Sequence, residues 1–124
     1  MITATAIAFT GYPVTGIARA RAFYEQVLGL KSSTVFEHEG RHWIEYDIGP
    51  GTLAISNMWP DKWRPASDGP CAVLEVADFP AAVAKLRSAG ARFYLEPMDS
   101  GVCHMAIVAD PDGNALGIHL RHKP

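Results

Sequence analysis

The second half of this 124-residue sequence repeats the plan of the first at a nearly fixed offset. Phe9 aligns with Cys71 and Val14 with Val76, 62 positions apart, while Asp47 aligns with Asp110 and Ala54 with Gly117, 63 apart. An offset held through strand, helix and turn is the mark of internal duplication. The chain must therefore fold as two like modules.

The elements of each module follow from periodicity. Residues 6–12 read as a strand stopped at Pro13; Ile17, Ala20, Tyr24, Val27 and Leu28 then recur at helical spacing, and Gly29 closes the helix. Strands are predicted at 33–38, 42–48 and 52–57, with Glu39-Gly40 and Gly49-Pro50-Gly51 as turns. This gives βαβββ over 1–57. Residues 58–69 hold two prolines and no period, and read as a connector. The pattern restarts over 70–124 with a strand at 71–76 and Asp78 as the N-cap of a second helix. Phe79, Ala82, Val83, Leu86 and Ala89 form its buried stripe, Gly90 ends it, and strands follow at 92–96, 102–109 and 114–121. Asp110-Pro111-Asp112-Gly113-Asn114 is the sharpest turn signal, five turn formers in a row. The whole is read as one domain, 1–124.

Composition narrows the function classes. Hydrophobic and charged shares of 48% and 19% belong to a chain that buries a core, which sets disorder aside. A formal net charge of −2 offers no electrostatic footprint for nucleic acid or an anionic membrane surface. The N-terminal residues lack a signal-peptide pattern and no run approaches a membrane span, so a cytoplasmic location is expected. Two cysteines form no zinc motif.

Tandem βαβββ units, Ala22-Phe23-Tyr24 leading into Val27-Leu28-Gly29-Leu30, and the late Asp110–Asn114 turn together resemble the vicinal oxygen chelate superfamily. That superfamily includes glyoxalases, bleomycin-resistance proteins and extradiol dioxygenases. The resemblance implies an α+β fold whose curved mixed sheets surround a central cavity with helices outside, often completed by a second copy in a homodimer. It also implies a divalent-metal site on the first and last strands of each module. Those positions fall on Phe9, Ala54, Cys71 and Gly117. Phe, Ala and Gly donate no side-chain lone pair, and one thiol is a poor site for a hard cation. No metal is expected there, and no cofactor.

Strand parity supplies other candidates. Ile44, Tyr46 and Ile48 suit the face packed on a helix, which turns Trp43, Glu45 and Asp47 the other way. At an offset of 63, Glu45 matches Val108, so His104 is expected on the inner face with His119, two residues beyond Gly117. Glu45, His104 and His119 are the candidate catalytic set, as acid/base groups or as ligands of a divalent metal at a displaced site. Phe9, Trp43, Ser56 and Cys71 are the candidate ligand contacts. Trp59 and Trp63 are expected in packing or at an interface, and Cys103 on the helix side away from inward Cys71, which argues against a disulfide.

Three functions remain open. The first is a metal-free protein that binds a small, partly aromatic molecule. The second is a lyase, isomerase, hydrolase or dioxygenase-type enzyme built on Glu45, His104 and His119. The third is a scaffold whose groove takes a protein partner.

Overall fold

Each half of the chain builds a four-stranded mixed sheet and one helical segment, in the same order. The first sheet runs β1 (Thr10–Pro13), β4 (Gly51–Ser56), β3 (Arg41–Ile48), β2 (Ser32–His38). The second runs β5 (Val73–Glu75), β8 (Ala115–Arg121), β7 (Cys103–Ala109), β6 (Phe93–Asp99). In both, the first strand is parallel to the last and every other pair is antiparallel. The computed structural model describes residues 1–123, which divide into two units, Met1–Pro65 and the residues from Ala66 on. The first unit thus takes in most of the connector. No described helix is long and apolar enough to cross a membrane.

Strand β1 is shorter than the apolar run predicts: its ladder with β4 runs only from Thr10–Leu53 to Pro13–Ser56. Residues 6–9 lie outside that ladder. The β2–β3 turn is a two-residue hairpin with φ of 51° at Glu39 and 78° at Gly40. Positive φ at both positions matches the right-handed twist of the strands.

In the first unit, helix α1 (Ile17–Arg21) widens into a π-helical segment, Ala22–Val27, marked by the Leu28 N–H donating to Phe23 O. Consecutive Phe23 and Tyr24 are both buried there, edge to face at 5.3 Å. Tyr24 stacks on Tyr46 and meets Tyr12, so Tyr12, Ile44, Tyr46, Leu53 and Ile55 form the helix-covered side of the sheet. Burying each such side chain contributes about 1.5–3 kcal/mol. Glu25 closes this core: its Oε2 accepts from Arg21 Nε at 2.6 Å and from the Tyr46 hydroxyl at 2.8 Å. Burial alone would raise the Glu25 carboxyl, but the Arg21 and Tyr46 hydrogen bonds together outweigh it and hold the carboxyl below its ordinary range. Burial first, and the bond to Glu25 second, push the Tyr46 hydroxyl upward.

The second unit repeats this with helix α2 (Phe79–Ser88), whose N-cap Asp78 accepts from the Ala81 N–H at 3.0 Å. Leu86 and Phe79 are buried with Ala106, Val108, Leu116 and Ile118. The 110–114 turn is tied by its own side chains. Asp110 Oδ1 accepts from the N–H groups of Asp112 and Asn114, and its Oδ2 from Asn114 Nδ2, all at 2.9 Å.

The β7 parity corrects an expectation. Ala54 and Gly117 are 63 apart, yet their partners Glu45 and Ile107 are only 62 apart. The extra residue of the second half lies in the turn between Ala109 and Ala115, so β3 matches β7 at 62 and β4 matches β8 at 63. Val108 is therefore a core residue, and His104 shares its face. Cys103 takes the opposite face, in register with Arg121.

Candidate functional site

On the side of the first sheet away from the helix, four aromatic rings form a continuous run. Phe9 meets Trp43 at right angles with centroids 5.0 Å apart; Trp43 and Trp63 stack at 6.3 Å and 26°; Trp63 and Trp59 lie 6.3 Å apart at 49°. The connector supplies two of the four, folding back onto the sheet that precedes it. Gly11 makes room for this: a Cβ there would stand 2.9 Å from the Trp63 ring. Phe36, the cross-strand partner of Trp43, extends the face and is 55% exposed. Phe9 at 44% and Trp59 at 56% are likewise open to solvent. Glu45 Oε2 accepts the Trp43 indole N–H at 2.8 Å, which fixes the ring and leaves a carboxylate beside it.

The predicted parity of β3 holds here, since Trp43 and Glu45 share this face. Ser56 is on it too, but is buried and its hydroxyl is engaged by backbone, donating to His42 O at 2.7 Å and accepting from the Met58 N–H at 3.0 Å.

The equivalent face of the second unit carries different chemistry. One row across its sheet reads Met98, Met105, His119, Glu75, matching the row Phe36, Trp43, Ser56, Pro13 in the first. His119 Nδ1 is in short contact with Glu75 Oε1, and Glu75 Oε2 accepts the Arg121 N–H at 2.8 Å. The Arg121 N–H, then His119, hold the Glu75 carboxyl below its ordinary range. An ionised carboxylate only accepts, so Nδ1 donates and Nε2 is the ring atom left for a proton or a ligand. Glu75 was missed in the sequence, although it shares the parity of Cys71 and sits beside His119 once β5 is paired parallel to β8.

The predicted set of Glu45, His104 and His119 does not share one face. His104 pairs with Leu120 while His119 pairs with Met105, which puts the two histidines on opposite sides of the second sheet. His104 stacks instead on Phe79 of α2. Glu45 belongs to the first unit. Cys71, half-buried, and Cys103 are both free thiols.

The positions where the resemblance places a metal do not suit one. Gly117 lies so close to β5 that a Cβ would stand 2.8 Å from Val73 Cγ2, leaving no space for a ligating side chain. Ala54 is fully buried between Gly11 and Glu45. The Phe9 ring has no lone pair to give, and Cys71 alone falls short of the three protein ligands of a catalytic site.

The family model of the Glyoxalase/Bleomycin resistance protein/Dioxygenase superfamily matches residues 6–118. No curated protein matches the chain. Among solved structures it is similar to TnmS3, an antibiotic binding protein from Streptomyces sp. CB03234, with a TM-score of 0.78 and 19% identity, covering 98% of this chain and 100% of that one. A glyoxalase/bleomycin resistance protein from the same organism gives 0.73 at 22% identity, over 94% and 100%. The trypanothione-dependent glyoxalase I of Leishmania major gives 0.74 at 22%, over 96% and 87%. At these identities the likeness establishes the α+β fold.

Proposed function

This chain belongs to the Glyoxalase/Bleomycin resistance protein/Dioxygenase superfamily, and on that premise we propose that it binds a small, flat aromatic molecule without the superfamily's metal or any other cofactor. The observation that carries this reading is the run of Phe9, Trp43, Trp63 and Trp59 on the first sheet, exposed at Phe9 and Trp59 and half-buried at Trp43 and Trp63. Aromatic pairs add about 0.5–1.5 kcal/mol each beyond area burial, so a flat ligand laid on Trp43 and Trp63 gains both stacking and desolvation. Glu45, already anchored to Trp43, adds a charged edge that favours a ligand carrying a donor or a cation. The similar fold of an antibiotic binding protein supports the capacity of this architecture for such a role. A homodimer and a cytoplasmic location complete the proposal.

The test is indole quenching and thermal shift with a panel of flat polycyclic compounds, run on the wild type and on Trp43→Ala. Saturable quenching by at least one compound, weakened at least tenfold in Trp43→Ala, is the expected result. A panel that binds both proteins equally would sink the reading.

One observation favours a second reading. The Glu75–His119 pair has the form of a general base held in one tautomer by a carboxylate. If the protein turns over a substrate, as a lyase, isomerase or dioxygenase-type enzyme would, His119→Ala abolishes turnover and Glu75→Gln lowers it, with binding to the first sheet retained.

A further inference from the structure

Asp99, His104 and His122 bring three potential ligand atoms within 4.8 Å of one another in the second unit. The β6–β7 hairpin builds the arrangement. Asp99 and His104 are direct cross-strand partners, and the His122 N–H donates to Val102 O at 2.9 Å, fastening the end of β8 to the hairpin loop. Each side chain is also oriented from behind. His104 stacks on Phe79 at 5.3 Å and on His122 at 4.7 Å, and Asp99 Oδ1 accepts the Gly101 N–H at 2.8 Å. The Phe79 and Gly101 contacts come from outside the cluster, and outer contacts of that kind are what aim the ligands of a metal.

His122 Nε2 is the informative atom. It is shielded from solvent and makes no hydrogen bond, although Asp99 Oδ1 is only 3.1 Å away. By distance the two form an ion pair whenever the imidazole is charged. Two ligands of one tetrahedral ion, with bonds of about 2.0–2.1 Å, stand about 3.3 Å apart, each aimed at the ion and not at the other. The Asp99–His122 separation fits that edge.

We propose that Asp99, His104 and His122 bind one divalent first-row transition ion, Zn²⁺ foremost, with the remaining position open to water. Two imidazoles and one carboxylate select such an ion over Mg²⁺ or Ca²⁺, which take all-oxygen sets. The site shares no residue with Phe9, Ala54, Cys71 and Gly117, and lies on the other face of the second sheet from His119. An ion there clamps the hairpin to the end of β8, so it stabilises the second unit and needs no part in ligand chemistry.

Zinc titration of chelator-stripped protein by calorimetry, with elemental analysis after desalting and thermal melting, tests the site. About one equivalent per chain is expected in the wild type, in His119→Ala and in Trp43→Ala, with a rise in Tm that Mg²⁺ does not give. His104→Ala and His122→Gln lose more than about 100-fold in affinity and the Tm rise. Circular dichroism checks that each variant is folded, and His122→Gln keeps a side chain of similar reach in case loss of a ring disturbs packing. Absence of zinc uptake by the wild type overturns the proposal. So does uptake undiminished in folded His122→Gln, or uptake lost in His119→Ala. Because Trp43→Ala serves as the control, failure of the binding reading leaves this outcome separately legible.

Discussion

Replacing Gly11 by alanine reports whether the connector is seated on the first sheet. The new Cβ would stand 2.9 Å from two atoms of the Trp63 ring, about 0.5 Å inside the 3.4 Å at which ordinary contact begins. The ring tip must move by that amount, loosening its stack on Trp43. Overpacking of this kind costs about 1–3 kcal/mol, toward the low end because a ring tip yields more easily than backbone. Against it, removing a glycine from a strand gains about 0.5–1 kcal/mol in backbone entropy. With the clash at about 1–1.5 kcal/mol, the net expectation is a loss of about 0.5 kcal/mol. In a Trp63→Ala background the clash disappears and only the gain remains, so Gly11→Ala changes sign and stabilises by about 0.5–1 kcal/mol. Urea unfolding of the four proteins of this double-mutant cycle, followed by circular dichroism, measures the coupling. The same sign and size in both backgrounds would falsify the seating of Trp63 over Gly11.

Other substitutions probe separate parts of the fold. Glu39→Asn relieves a non-glycine residue of φ 51° in the β2–β3 turn and should raise stability by about 0.5–1 kcal/mol, seen as a higher urea midpoint with unchanged slope. Asp78→Ala removes the cap on Ala81 and should cost about 1 kcal/mol in the same assay. Tyr46→Phe deletes a hydrogen bond to an ionised carboxylate and should cost about 1–2 kcal/mol at neutral pH. Because the Glu25 carboxyl is held below its ordinary range when folded, its contribution is fully present above that range and lost as pH falls through the folded value. The stability gap between wild type and Glu25→Gln should therefore shrink on acidification. A gap that widens would contradict the network.

The sequence made the repeat, both helices and the faces of β3 legible, because these are set by local periodicity and a fixed offset. What it hid depended on partners far along the chain. The start of β1 is where its pairing with β4 begins, at Thr10–Leu53, and the apolar pattern of residues 6–9 does not reveal that. Trp59 and Trp63 sit in an aperiodic stretch, and only Gly11, a small residue in an otherwise bulky strand, hinted that something large covers it. The face of His104 was misjudged for a countable reason: one extra residue in a turn shifts the alignment by one, and a strand turns its side chains over with every residue. Glu75 was overlooked because its role exists only once β5 lies beside β8.

That extra residue has a broader consequence. Because it lies in the turn after Ala109, the rows through β7 and β8 still correspond to those through β3 and β4, and Met98, Met105, His119 and Glu75 occupy the places of Phe36, Trp43, Ser56 and Pro13. Duplication has left two copies of a single template whose inserts differ, one a rack of flat rings and the other a histidine–carboxylate pair beside two methionines. Chemistry can be transplanted from one copy to the other position by position, with the spare half preserving whatever role the altered half gives up.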